Sequence, residues 1–557
     1  MKRWVVIASV VTIGVAIALA YGGGVGSANQ VTYLLEPLRR ANIDLFARDW
    51  LTSDTTHYHG AFIALATELF RADPTGATSF GVAHLLAMVA TIAALHGILV
   101  ALGLARYLSL LLLLAGFIAL GGGRAIGGSY LVATYFQPSS IATVAWLAAL
   151  ALWVRDRHLA AGVALAIGGA FHANFLILGI LWFGVVDLLG GPGLAGTGAR
   201  SALFRRRIAL LAPSLVVLAA MWPSIRAAGD AAEPSLALRI LVEFHAPTHY
   251  DASVAIAQLP PLLGWLLAAW ACDPSRDPRL ARMFTCAVVG TAMCTWIFLA
   301  ILIAPSATRL FVWRIAPFAQ LASQIVVVAI VFSDHALPTA GATGAGRWRA
   351  LGIPIGIGVV LGWSIPHAGG RYTAALAAAI AAAIGYRAAP SRARSVAGRA
   401  PIIAGVLVAT LAIAPVARKL VSSDLFTEAL GGRYRDLILW ARTTDRDALF
   451  VIPPYVHAFR FLARRAIVAD SRSPPLYPDE LVAWYRRLCA IVGVESAATH
   501  EEIEARYDRL TAEQLEAAAR RFEAQYIVID KQRSSTRPAG TPAFEDWRVV
   551  VFAVAPR

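Results

Sequence analysis

The chain has 557 residues, 58% of them hydrophobic and 15% charged, with a mean hydropathy of +0.63. A soluble globular chain carries about a quarter charged residues, so an ordinary cytosolic enzyme, a disordered chain and a disulfide-stapled secreted module are excluded. The formal charge of +15 is concentrated in residues 1–417, with 28 basic and 15 acidic residues, against 21 and 19 in residues 418–557. Basic residues in short loops between apolar runs follow the positive-inside rule and are not a nucleic-acid footprint.

The start, Met1-Lys2-Arg3 before the apolar run 4–20, reads as an uncleaved first span, although Ala18-Leu19-Ala20 has the form of a signal-peptidase site. Crossing a bilayer takes about 20 apolar residues. Thirteen segments are candidates: 4–21, 80–104, 107–122, 139–154, 159–172, 174–190, 208–225, 256–272, 284–303, 310–332, 351–366, 371–386 and 401–417. Reading 159–190 as a helical hairpin keeps Arg205-Arg206-Arg207 on the cytoplasmic side with Lys2, Arg3, Arg106, Arg155 and Arg282. The odd number of crossings then exports the C-terminal segment. The four Cys, Cys272, Cys286, Cys294 and Cys489, lack metal-ligand spacing.

Exported polar segments are where chemistry is expected, because the cytoplasmic loops are short and basic. The first, 22–79, carries Asp44 and Asp49, then Asp54, His57 and His59. A carboxylate there suits removal of a proton from an acceptor hydroxyl, or a divalent cation held against a phosphate. His57-Tyr58-His59 has the spacing of ligands on a strand, though two His alone make a weak metal site. Residues 60–71 read as an amphipathic helix lying on the outer leaflet. His172 and Asn174 fall at the turn of the hairpin. The segment 226–255 brings Glu243, His245, His249, Tyr250 and Asp251 close together in sequence. Arg309 and Arg314, at the outer end of the tenth span, are suited to a lipid-linked phosphate, because guanidinium matches phosphate oxygens in pairs. Each of these residues also has a plain reading as a helix cap, a solvated loop or a snorkelling side chain.

Beyond Val416 the pattern becomes that of a small α/β unit. Strands are expected at 448–452, 466–469, 526–529 and 548–552, with helices at 455–465, 479–492, 500–510 and 512–523. Thr499 and Thr511 are expected N-caps. The sequence therefore predicts a mainly α fold: a polytopic transmembrane helical bundle of about 13 spans over residues 1–417 and a small extracytoplasmic α/β domain over 418–557.

These pieces together resemble the GT-C class of membrane glycosyltransferases, and more closely an uncharacterised bacterial family of GT-C-like proteins with a periplasmic C-terminal domain. The resemblance rests on Asn29-Gln30, Tyr33-Leu34, Arg48-Asp49-Trp50, Tyr135-Phe136-Gln137-Pro138-Ser139-Ser140, Phe171-His172 and His245…Pro247-Thr248-His249-Tyr250. In the tail it rests on Trp440-Ala441-Arg442-Thr443-Thr444, Asp447 to Pro454, Phe459-Arg460 and Arg464-Arg465. It implies an inner-membrane protein, N-terminus in the cytoplasm, that transfers a sugar from a polyprenyl-phosphate donor to an extracytoplasmic acceptor. An acidic residue of the first exported loop would be the base or hold a divalent cation. Asp49 and Asp44 are the matches, with Arg309, Arg314, His172, His245, His249 and Tyr250 for substrate. The commonest GT-C pattern has two adjacent or near-adjacent acidic residues, and this chain departs from it. The alternatives are a transporter or lipid flippase, disfavoured by the lack of an internal repeat, and a non-catalytic envelope protein on the same scaffold.

Overall fold

The chain is represented by a computed structural model that describes residues 3–27, 29–104, 111, 114, 124–126, 129–190, 197–227, 231–250, 259–271, 274–303, 305–332, 424–430 and 432–554. The expected spans at 351–366, 371–386 and 401–417, nearly all of 107–122, and with them the count of thirteen, lie outside these residues.

Apolar runs, flanked by arginines in Thr197–Ala227 and Pro278–Ile303, form the long helices Arg3–Tyr21, Ala77–Ala101, Pro138–Val154, His158–Phe171, Ala173–Gly190, Thr197–Ala227, Leu259–Ala271, Pro278–Ile303 and Ala316–Phe332. Among the described residues, Arg3–Tyr21, Ala77–Ala101, Ser201–Ala227 and Ala307–Ile330 are long and apolar enough to cross a membrane by length and composition. The run 158–190 is indeed two helices, which turn at His172. A Cβ at Gly162 would collide with the Leu210 carbonyl, so glycine is what lets the first of the pair lie against Thr197–Ala227.

The ends of these helices remote from the first loop are joined by ions. Arg282 Nη1 lies 2.7 Å from Asp156 Oδ1, and Arg206 Nη2 lies 3.0 Å from Asp187 Oδ1. Trp153 Nε1 donates to the same Asp187 oxygen at 3.1 Å. Asp187 is buried among these partners. A buried carboxylate keeps its charge when cations and N–H donors replace water.

The first loop folds as four helices: Gln30–Tyr33, Leu35–Ala41, Trp50–Ser53 and Gly60–Ala72. The last is the expected amphipathic helix. Protein, rather than lipid, covers its apolar face: Phe62 packs on Phe136 at 5.7 Å between ring centroids, and Phe70 on Phe80 at 4.9 Å and Phe461 at 6.3 Å. The segments that carry the sequence resemblance also meet here. Gln30 Nε2 donates to the Phe136 carbonyl at 3.0 Å while its Oε1 accepts from Gly26 N at 3.0 Å.

The C-terminal part is a five-stranded sheet of β1 (Leu449–Val451), β2 (Ala466–Ile467), β3 (Tyr526–Asp530), β4 (Phe544–Glu545) and β5 (Val549–Ala553), in the order β2-β1-β3-β5-β4. β2 and β3 run parallel to β1; β5 is antiparallel to β3 and β4 antiparallel to β5. Alternation along the strands divides the core. Phe450, Val528 and Val551 join the cluster that runs into the first loop, whereas Val451, Ile527 and Ile529 pack with Trp484 and Leu488. Thr499 and Thr511 cap their helices by accepting from Glu502 N and Gln514 N. The helix expected over 455–465 is confined to Phe459–Ala463, after turns in which Val456 N donates to the Pro453 carbonyl and Phe459 N to the Val456 carbonyl. β4 is two residues long, too short to show a strand period.

A buried cation sits where the C-terminal part meets the first loop. Arg460 Nε lies 2.9 Å from Asp49 Oδ2 and its Nη1 lies 3.2 Å from Asp470 Oδ2. The approach is off-axis, so these are ion pairs rather than linear hydrogen bonds. The three side chains are 0 to 3% exposed. Asp49 also accepts from Ile467 N at 3.1 Å and Thr52 N at 3.2 Å, tying β2 to the cap of helix Trp50–Ser53. Removing one partner of a buried ion pair costs roughly 3–5 kcal/mol, so Arg460→Met is expected to lower unfolding stability by about that amount and to speed proteolysis at the loop–sheet junction. Stability and cleavage at the levels of the unaltered protein would rule the clamp out.

Candidate functional site

Two groups of side chains meet under the first loop. The first surrounds Arg314. The chain enters its last described span through two tight 3₁₀ turns, Pro305–Leu310 and Val312–Ile315, separated by Phe311 at φ 44°. A non-glycine residue in this left-handed region costs roughly 1–2 kcal/mol, so the surrounding packing must hold it there. The break turns the Arg314 guanidinium over the rings of Phe311 at 5.1 Å and Phe175 at 5.7 Å. His172, at the hairpin turn, stacks on Phe175 at 5.1 Å and on His59 at 4.6 Å. Tyr33 and Tyr58 close around His59 at 5.6 and 4.6 Å.

This group has cationic and donor character with no matching acid among the described residues. Arg314 Nε is buried without a hydrogen-bond partner, and so are both ring nitrogens of His172. Among the described residues no carboxylate pairs with Arg314. Burial, then the charge of Arg314, pushes the His59 ring down to about 3, against a hydrogen bond to the Phe171 carbonyl. The His59 ring is therefore neutral at physiological pH with its one N–H spent on the Phe171 carbonyl, whereas both nitrogens of His172 are open to a ligand.

The second group lines a cleft of ≈ 40 Å³ between the loop and the Pro474–Pro475 turn, walled by Tyr33, Glu36, Thr55, His57, Tyr58 and His59. Tyr33 and His59 thus belong to both groups. Glu36 is buried, with Arg39 Nε at 2.8 Å, Arg40 Nε at 2.6 Å and His57 Nε2 at 3.5 Å. Burial raises its pKa, but the hydrogen bonds from Arg39 and Arg40 and the field of His57 outweigh it and hold the carboxyl below its ordinary range. His57 Nε2 also lies 3.2 Å from the Thr52 carbonyl.

Of the residues singled out from sequence, Arg314 and His172 come together, and His249 reaches their rim through Phe311, 5.5 Å away. Arg309 lies on the far side of the Phe311 break, half-buried, so its spacing from Arg314 is not that of one helix face. His245 points elsewhere: it packs on Trp484 and His500 of the C-terminal part, and burial lowers its pKa to about 3. Tyr250 ends the short helix Pro247–Tyr250. Asp44 is exposed and pairs with Arg446 at 3.3 Å. Asp49 is wholly buried with both oxygens engaged, and burial pushes its carboxyl above the usual range despite Arg460 and the two backbone donors. Neither Asp lines the cleft.

Sequence reasoning missed Glu36 and Tyr33. The available signal was Glu36 with Arg39 and Arg40 three and four residues on, a spacing that puts both cations on the acid. A divalent cation does not fit the described donors. The Glu36 and Asp49 oxygens already face guanidinium groups, and no group of three or more His, Cys, Asp or Glu among the described residues could hold a metal ion.

Residues 433–491, which include Arg460 and Asp470, match a domain family described as a domain of unknown function, DUF6798. No curated protein matches the chain. Among solved structures the chain is similar to ArnT from Cupriavidus metallidurans bound to undecaprenyl phosphate, with 14% identity over 99% of each chain and a TM-score of 0.45. It is similar to the Archaeoglobus fulgidus oligosaccharyltransferase tethered to an acceptor peptide, with 11% identity, 95% of this chain and 69% of that one covered, and a TM-score of 0.45. A third is the oligosaccharyltransferase AglB from the same archaeon in complex with an inhibitory peptide and dolichol-phosphate, with 12% identity, the same coverage and a TM-score of 0.46. ArnT and AglB are GT-C glycosyltransferases.

The neutral His59 sets a pH dependence. The unfolded chain binds a proton at this ring near 6.5 and the folded chain only near 3. Stability is therefore full above 6.5 and falls as pH drops between those values, by roughly 1.4 kcal/mol for one unit below 6.5. His59→Asn, which tolerates the left-handed backbone at φ 70°, is expected to flatten the acid limb of a thermal unfolding series by about that amount. An acid limb of unchanged slope would remove His59 from this role.

Proposed function

We propose that the chain is a membrane glycosyltransferase-like protein that takes a polyprenyl-phosphate-linked sugar with the carrier phosphate on Arg314. The observation that carries this reading is the half-buried guanidinium with an unpartnered Nε and no carboxylate partner among the described residues, beside a His172 ring whose two nitrogens also lack hydrogen-bond partners. A desolvated cation without a counter-ion is unfavourable, and a phosphate supplies both the charge and the oxygen acceptors. A carboxylate-bearing ligand would leave more of these donors unmet.

Tyr33 and His59 line both the Arg314 group and the Glu36–His57 cleft, which gives a line for transfer. The acceptor hydroxyl attacks the anomeric carbon as the bond from that carbon to the phosphate oxygen breaks, with inversion. The hydroxyl proton passes to His57, oriented by Glu36, and the carrier phosphate leaves against Arg314 and the N–H of His172. The cleft at ≈ 40 Å³ is smaller than the several hundred Å³ of a ligand site, so entry of a sugar moves the Pro474–Pro475 turn away from the loop. In this reading Asp49 is a positioning residue of the clamp, Asp44 a surface ion pair, and His249 a rim contact. Residues 1–417 form the membrane part and 418–557 a module on the exported side.

One observation favours a second reading, a non-catalytic protein that holds the same lipid phosphate: Asp44, Asp49 and Glu36 of the first loop are each already paired with arginine. The two readings part in one assay. In membranes supplied with labelled polyprenyl-phosphate-linked sugars, Arg314→Gln is expected to lower sugar release about 10²–10³-fold and His57→Gln about 10²-fold. Both variants should keep the Tm of the unaltered protein. Retained lipid binding with no release in the unaltered protein selects the second reading, and unchanged lipid binding in Arg314→Gln removes both.

A further inference from the structure

A second site lies on the other side of the Trp50–Thr56 stretch. Helix Pro478–Ile491, the end of helix Ala512–Arg521 and the stretch Ala232–Glu233 enclose a cleft of ≈ 390 Å³, within the range of small-ligand sites. Its walls carry Arg486, Arg487 and Arg521 around Phe522. The guanidinium of Arg487 lies over Phe522 at 5.5 Å and over Trp50 at 4.6 Å, and that of Arg521 over the same Phe522 at 5.7 Å.

The acids of the cleft and its rim are already engaged. Glu233 takes Arg486 through both oxygens at 2.8 and 2.9 Å. Asp479 Oδ1 accepts from Ala232 N at 2.9 Å, and Glu523, beside the Phe522 ring, faces Arg48 at 3.7 Å. Arg487 and Arg521 are left without a carboxylate partner among the described residues, although Asp49 and the exposed Asp54 act on Arg487 at longer range. Both guanidinium groups border the same ring, and an anion bound there would supply the charge that neither meets in a carboxylate. The planar forks of both can take the oxygens of one phosphate. The walls are held without it: Arg48 Nη2 donates to the Glu523 carbonyl at 2.8 Å, and Tyr477 OH donates to the Ser224 carbonyl at 3.2 Å.

We propose that this cleft binds a phosphate-bearing ligand between Arg487 and Arg521, over the Phe522 ring. None of its residues belongs to the Arg314 group, so the inference stands apart from the reading above. The Ser224 contact puts the cleft beside the end of an apolar helix, so the phosphate has two sources, a lipid headgroup or a soluble phosphate ester.

The test uses the full chain in neutral detergent, carrying Arg314→Gln so that the other site is silent. Inorganic pyrophosphate is titrated calorimetrically, and nanodiscs of phosphatidylglycerol are compared with nanodiscs of phosphatidylcholine. Saturable binding of pyrophosphate that weakens at least tenfold in Arg487→Gln and Arg521→Gln supports the proposal and a soluble ligand. A matching arginine dependence seen for phosphatidylglycerol alone supports it with a headgroup ligand. Arg521 is exposed, so its variant tests the site without disturbing the fold. No binding of either probe, or binding equal in the parent and both arginine variants, overturns it.

Discussion

One guanidinium between two buried carboxylates decides how this protein is put together. Arg460 sits where Asp49 of the first loop and Asp470 of the C-terminal part converge, and none of the three has water to fall back on. Charges in that position are tolerated when each meets its partner and its remaining oxygens meet N–H groups. Asp49 meets Thr52 N and Ile467 N; Asp470 meets Arg472 N and Ser473 N at 2.8 Å each. Docking of the sheet is therefore a matter of register, because a displaced strand would leave a carboxylate bare.

The same constraint orders the loop that follows. Asp49 caps Trp50–Ser53, so it fixes where Trp50 stands and how the chain proceeds to His57 and His59. His59 carries the influence across to the hairpin turn, where its ring meets His172 and the field of Arg314. One chain of contacts thus runs from the sheet to the end of a membrane helix. Arg314, without a carboxylate partner among the described residues, and the unpartnered His172 ring form a donor-rich pocket, while Glu36, Asp44 and Asp49 of the loop are each paired with arginine.

Much of this was legible in the sequence, and what was not has a physical reason. Apolar runs and arginine placement gave the helices, including the hairpin at 158–190, because burial in an apolar medium leaves a plain period and flank. Thr499 and Thr511 were readable as caps because capping is local. Arg314 and His172 were readable as candidates because a polar group at the end of a span is costly without a use. The ion pairing of Asp49 was not legible because its partners lie in the C-terminal part, far along the chain, and a carboxylate serving as an ion-pair member looks the same in sequence as one serving as a base. Glu36 escaped notice beside Pro37, although its arginines follow at helical spacing. The apolar face of Gly60–Ala72 was assigned to lipid since sequence shows that a face is greasy and not what touches it.

That helix has a mechanical consequence. Phe70 is wedged between Phe80, on a membrane helix, and Phe461, next to Arg460. Lifting the sheet away would strip an aromatic wedge of its cover on one flank, so the loop and sheet travel as a single stiff plate. Flexure that admits a bulky guest is then left to the seams of that plate: its Pro474–Pro475 edge and the histidine contact with the hairpin.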